Sequence, residues 1–170
     1  MRGTVICFVI ATLALGFFQE RVKISINFNL KSAGLIADYD SLDAESRMRA
    51  IQKSKIGRPY DYYYSHKSVN LLYRLNVREL VVLKWLASVL FVFTHLSLGL
   101  WLLKALRLGM RRWLVQGYAL LFGAAAVVYI IGVVLGVDFY LLARRIVGFL
   151  QSPLPVLVLI IRSKFDSNDG

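Results

Sequence analysis

Residues 85–103 carry no charged side chain and are closed at either end by Lys84 and Lys104, with Trp85 and Trp101 near their limits. A helix needs such a run to cross the ~30 Å hydrocarbon core of a bilayer, and indole rings favour the interfaces where this one begins and ends. The whole chain agrees: 58% of its 170 residues are hydrophobic and 18% charged, too apolar for a soluble fold of that size. Disorder and a nucleic-acid-binding tail are excluded. With 21 Lys+Arg against 10 Asp+Glu the formal charge is +11. In so apolar a chain that excess belongs to cytosolic loops of a membrane protein, so no nucleic acid is expected as a partner.

The sequence predicts an all-α membrane protein with four transmembrane helices. The first covers residues 1–18, where Arg2 precedes an apolar stretch. Ala14-Leu15-Gly16 offers a signal-peptidase site, but Phe17 and Phe18 after it are still apolar, which favours an uncleaved anchor. The second occupies 84–103. Its helix is predicted to start before the bilayer, because Asn76 and Glu79 have capping-box spacing and Leu75 and Leu80 are placed as the hydrophobic staple. The third, 113–136, contains Ala124-Ala125-Ala126 and ends in Gly132 and Gly136, a GxxxG pair that allows close helix approach. The fourth, 139–161, holds Arg144 and Arg145 and is interrupted by Pro153 and Pro155, so it either spans or re-enters.

Short-loop charge sets the orientation. The loop 104–112 is basic, whereas the connection around Val137 and Asp138 has no basic residue. Lys and Arg mark the cytosolic side, so both termini and the tail 162–170 are cytosolic and residues 19–83 are external.

Within that external segment of about 65 residues, Val22, Ile24, Ile26, Phe28 and Leu30 alternate with Lys23, Ser25, Asn27 and Asn29, the pattern of a strand. The alternative is an extended stretch lying on the bilayer. Asp40 or Ser41 is placed to cap a mainly solvated helix running to about Ser54. Gly57-Arg58-Pro59 then breaks the pattern before Tyr60-Asp61-Tyr62-Tyr63-Tyr64-Ser65-His66, a run suited to a recognition surface because each tyrosine offers a rigid ring and a polar tip.

Candidate chemistry is sparse. The single cysteine, Cys7, excludes an internal disulfide. His95, beside Thr94 and Ser97, reads as a neutral intramembrane histidine bonded between helices, and only a Cys7–His95 approach would give a nucleophile–base pair. Asp61 and His66 supply two ligand types without a third, so no metal site is expected. Arg144 and Arg145 are the strongest binding candidates, with interfacial anchoring as the plain alternative. No phosphate loop, nucleotide fingerprint, zinc motif or serine elbow occurs; neither a catalytic residue nor a cofactor is expected, and the chain reads as a non-enzyme.

Three signatures carry a family resemblance: Pro59-Tyr60-Asp61-Tyr62-Tyr63-Tyr64-Ser65-His66, the helix entry from Glu79 ending Leu83-Lys84-Trp85, and Ala143-Arg144-Arg145 through Phe149-Leu150-Gln151-Ser152-Pro153-Leu154-Pro155. Over roughly residues 58–161 the chain resembles small exosortase-system-associated membrane proteins of bacteria. The resemblance implies an accessory or assembly part in protein sorting, with an exosortase as membrane partner, and not the transpeptidase activity. The alternative expectation is a lipid-headgroup-binding, lipid-processing or small transport protein using His95 with Arg144 and Arg145, and Gln116 and Gln151 as further polar lining.

Overall fold

The computed structural model describes residues 2–54, 70–137 and 139–166. The described elements are helices α1 (Arg2–Ala33), α2 (Ala44–Ser54), α3 (Val77–Ala105), α4 (Arg111–Leu135), α5 (Tyr140–Leu150) and α6 (Leu154–Asp166), with 3-10 turns at Tyr39–Ser41 and Asn70–Arg74. No strand occurs among the described residues. At 1.5 Å per residue, the 32 residues of α1, 29 of α3 and 25 of α4 give roughly 48, 43 and 37 Å of helix. All three are apolar and long enough to cross a membrane, and the bent pair α5–α6 makes a fourth candidate. The chain divides into two compact units, Met1–Gly16 with Leu90–Gly170, and Phe17–Val89.

In the unit Phe17–Val89 the predicted strand over 22–30 is replaced by the second half of α1. The period-two alternation also satisfies a helix. Val22, Ile26 and Leu30 recur at four-residue spacing and pack with Leu72 and Leu80, while Phe28 and Ala33 join Tyr39, Ile51 and Tyr73. The intervening polar residues are not left in water: Ser25, Asn29 and Ser32 lie one turn apart and are buried. The Asn29 side-chain amide donates to the Ser25 carbonyl at 2.8 Å. A helix pairs its own backbone groups, which a lone strand cannot do, and that decides between the two.

The helix expected from Asp40 or Ser41 starts at Ala44 instead, with Asp43 as its cap: the Ser46 amide donates to Asp43 Oδ1 at 3.3 Å and the Arg47 amide to the Asp43 carbonyl at 2.9 Å. Hydrogen bonding from Ser46 holds the Asp43 carboxyl below its ordinary value. Nor is α2 only a solvated helix, since Ile51 and Met48 pack against Tyr39 and Tyr73. Arg49 and Glu45 pair across one turn on its exposed side.

The start of α3 is as expected. The Asn76 amide donates to Glu79 Oε2 at 2.7 Å, and the Glu79 amide donates to Asn76 Oδ1 at 2.8 Å. Leu75 and Leu80 sit together in the Ile26 cluster, so capping box and staple are both formed.

In the other unit, Phe8, Val92, Leu102, Leu103, Leu114, Tyr118, Leu150 and Val156 form the core. Gly99 is where α3 receives its neighbours: a Cβ there would lie 2.3 Å from Val156 Cγ2 and 3.0 Å from Leu114 Cδ2. The α3 terminus closes with Arg107 in the left-handed region at φ 58, as the Leu108 amide bonds the Leu103 carbonyl at 2.9 Å.

Candidate functional site

The connection that positions Arg144 and Arg145 is built on the Gly132–Gly136 pair. Gly136 adopts φ 65 and caps α4, and the Val137 amide donates to the Gly132 carbonyl at 3.0 Å. A Cβ on Gly132 would meet the Val137 carbonyl at 2.9 Å and Phe139 Cβ at 3.1 Å. The close approach that Gly132 allows is therefore that of its own following turn. Phe139 then serves as N-cap, with the Ala143 amide bonding its carbonyl at 3.1 Å. So short a connection makes α5 an antiparallel neighbour of α4.

Along α5, Ala143 and Leu150 are buried and Ile146 and Val147 half-buried, whereas Arg144 and Arg145 are exposed beside Leu141 and Leu142. Neither arginine has a hydrogen bond or ion pair to a described residue, and the first turn of α5 contains no acid. Four and five positions beyond Tyr140, their Cα atoms lie about 6 and 8 Å along the helix. An arginine on a membrane helix is satisfied by snorkelling to headgroup level or by an anionic group on a neighbour. Two guanidinium forks suit a carboxylate or a phosphate, each of which accepts bidentate hydrogen bonds.

After Leu150 the path bends by 58°. Ser152 Oγ donates to the Phe149 carbonyl at 2.6 Å and accepts from the Leu154 amide at 3.3 Å. The Leu157 amide takes the Pro153 carbonyl at 3.1 Å, so Pro153 is the N-cap of α6. Pro155 falls in the first turn, where its missing N–H costs no helical bond. Further along, the Arg162 guanidinium lies 5.7 Å from the centre of the Trp113 ring, returning α6 to the start of α4.

The remaining candidates do not join this pair in one site. His95 is buried, and its Nδ1 lies 2.9 Å from the Phe91 carbonyl of its own helix, to which it donates. This bond lies within α3. Cys7 is exposed on α1, and it is Phe8 that enters the core containing Val92. Gln116 is exposed in the early turns of α4, while Gln151 is buried at the α5–α6 bend. The tyrosine run with Tyr60, Asp61, Tyr62, Tyr63, Tyr64 and His66 lies outside the described residues, as does Asp138. No group of three His, Cys, Asp or Glu among the described residues could hold a metal ion.

Sequence reasoning missed Arg47. It is 7% exposed and bonds four carbonyls: Nε to Tyr39 at 2.9 Å, one terminal nitrogen to Arg74 and Leu75 at 3.3 and 3.0 Å, and the other to Asp40 at 3.0 Å. Its guanidinium also covers the Tyr39 ring at 4.8 Å. Burial raises the Tyr39 phenol above its ordinary value, with Arg47 opposing and the Asp40 charge adding to the shift. Asp40, expected as a helix cap for α2, instead accepts the Val77 amide at 2.9 Å. Its carboxylate and Arg47 together tie the Tyr39 turn to the entry of α3. The local sequence gives no sign of this, because the carbonyls that Arg47 bonds at the end of the second 3-10 turn, those of Arg74 and Leu75, lie 27 and 28 residues away.

No protein-family model, curated protein or solved structure matches the chain.

Proposed function

We propose that this is a non-enzymatic accessory or assembly protein of the bacterial inner membrane, serving an exosortase-type protein-sorting system through non-covalent contacts. In this reading α1, α3, α4 and the broken α5–α6 pair cross the membrane, with both termini and the basic α3–α4 loop cytosolic. The observation that carries it is the exposed Arg144–Arg145 pair on an otherwise apolar helix, without an acidic partner among the described residues. A cation on a spanning helix is costly, up to about 2.5–3.5 kcal/mol at the helix centre on insertion scales and less toward the interface, and a carboxylate on a partner helix would offset that cost. The tyrosine run supplies the external recognition surface of the same reading.

The same arginines favour a second reading, in which they hold the phosphate of a lipid headgroup and the protein acts on or carries lipid. Cross-linked co-purification from native membranes separates the two. The accessory reading expects stoichiometric recovery of another membrane protein, reduced in a double Arg144→Gln, Arg145→Gln variant and in a Tyr62→Ala, Tyr63→Ala, Tyr64→Ala variant that both insert normally. Recovery of the chain with lipid alone, or a partner yield that neither variant changes, overturns it.

A further inference from the structure

Among the described residues five buried side-chain atoms have no hydrogen-bond partner, and three of them belong to Asn29, Ser32 and Tyr39 of the unit Phe17–Val89. Asn29 and Ser32 are 0% exposed and Tyr39 is 3% exposed. The Asn29 side-chain nitrogen donates to the Ser25 carbonyl, which can only accept, so the amide is fixed in orientation and its unpartnered atom is the acceptor Oδ1. The other two atoms are hydroxyl oxygens, Ser32 Oγ and that of the Tyr39 phenol. Burial raises the phenol above its ordinary value, so it keeps its proton and offers a donor as well as an acceptor. Buried polar atoms of folded proteins are as a rule bonded, to protein or to ordered water.

Helix geometry gathers these atoms. At about 100° per residue, with Phe28 at zero, Ser32 falls at about 40°, Asn29 at about 100° and Ala33 at about 140°. Phe28 and Ala33 share a core cluster with Tyr39, so Ser32 and Asn29 occupy the arc of α1 that this cluster covers. An occupant of so enclosed a place is small. It donates to Asn29 Oδ1, which an anion without a proton cannot do, and the Arg47 guanidinium over the Tyr39 ring disfavours a cation. What remains is a neutral molecule that both donates and accepts. Buried water typically makes about three hydrogen bonds to polar groups that otherwise lack partners. We infer that Asn29 Oδ1, Ser32 Oγ and the Tyr39 hydroxyl bind ordered water enclosed between α1 and the Tyr39 turn. Asp40 and Arg47 tie that turn to the entry of α3, and the water joins α1 to the same junction. The inference is independent of the accessory reading.

The test is X-ray radiolytic hydroxyl labelling of the full chain in detergent and 18O-labelled water, read by mass spectrometry. Tyr73 is the internal standard, because it is 2% exposed in the same cluster and its hydroxyl is not among the unpartnered atoms. Tyr39 is expected to take up label several-fold faster than Tyr73, and Asn29→Leu, which fills the site with apolar atoms, to bring it down to the Tyr73 rate. Should Asn29→Leu misfold, Ser32→Ala removes a single hydroxyl. It is expected to speed amide exchange over residues 28–33 about two- to tenfold by loss of one hydrogen bond, whereas at a dry site removal of an unbonded hydroxyl leaves exchange unchanged or slower. Equal labelling of Tyr39 and Tyr73, or exchange that Ser32→Ala does not speed, overturns the inference. Protection of the same amides that differs between sodium chloride and choline chloride at equal ionic strength overturns water as the occupant in favour of a cation.

Discussion

Gly99 offers the sharpest test of the packing between helices. Substitution Gly99→Ala adds a Cβ 2.3 Å from Val156 Cγ2 and 3.0 Å from Leu114 Cδ2, where carbon atoms prefer about 3.5–4.0 Å. Val156 and Leu114 are 1% and 2% exposed, so neither has open space to retreat into, and the β-branched Val156 is held to one preferred rotamer in a helix. Overpacking of this kind costs about 1–3 kcal/mol. The better helix propensity of alanine returns about 1 kcal/mol, leaving a net loss of up to about 2 kcal/mol. For a chain of this length that corresponds to a fall of up to roughly 8 °C in Tm, measurable in detergent from the fluorescence of Trp85, Trp101 and Trp113. Val156→Ala removes the obstructing methyl, so the double variant should be more stable than the sum of the single losses by about 1–2 kcal/mol. A Gly99→Ala protein that melts at or above wild type would follow propensity alone, and with additive single effects it would refute the close approach of α3 to α6.

Replacing Arg47 with Met leaves the carbonyls of Tyr39, Asp40, Arg74 and Leu75 without their donor. A loss of about 3 kcal/mol or more is expected, read as faster proteolysis within residues 39–76; unchanged cleavage would refute the tie. Asn76→Ala should cost about 0.5–2 kcal/mol and speed amide exchange at Val77 to Glu79, with no change at the far end of α3. Because Asp43 is more acidic folded than its ordinary value of 3.8, its cap is fully formed above that value and is lost as pH falls through the lower folded one. Amide exchange in the first turn of α2 should rise across that window, and Asp43→Asn should remove the pH dependence. Burial of Tyr39 works from the other side: the raised phenol favours the folded state fully below its ordinary value of 10.0 and progressively less as pH rises beyond it.

What the sequence made legible was chemistry satisfied within a turn or so of helix. The Asn76–Glu79 box and its Leu75–Leu80 staple need only each other, and they form as their spacing says. Residues 22–30 are the opposite case. Their alternation is consistent with a strand, yet the same side chains fall at four-residue intervals, and what distinguishes the two is packing on Leu72, Leu80, Tyr39 and Ile51 far along the chain. Burial of Ser25, Asn29 and Ser32 is equally unreadable locally, since polar side chains in an alternating segment suggest a wet face. Asp40 and Ser41 looked like caps because their type suits that role, but Asp43 caps α2, while the Asp40 carboxylate was taken by an amide 37 residues away.

The glycines make the same point with a physical reason attached. Gly132 and Gly136 have the spacing associated with helix association, and both are required, but by a turn: one relieves contact with Val137 and Phe139, and the other supplies a positive φ. Gly99 has no such spacing, and it is the one that admits Val156 of another helix. A small-residue motif reports that backbone approaches backbone without saying whose backbone it is. For Arg144 and Arg145 the turn they follow places both in the second turn of α5, where the described fold leaves them exposed. Among the described residues neither arginine meets an acid, and a guanidinium on an apolar helix is satisfied only by an anionic group or by water, which is why the proposed contact with a partner is placed on this pair.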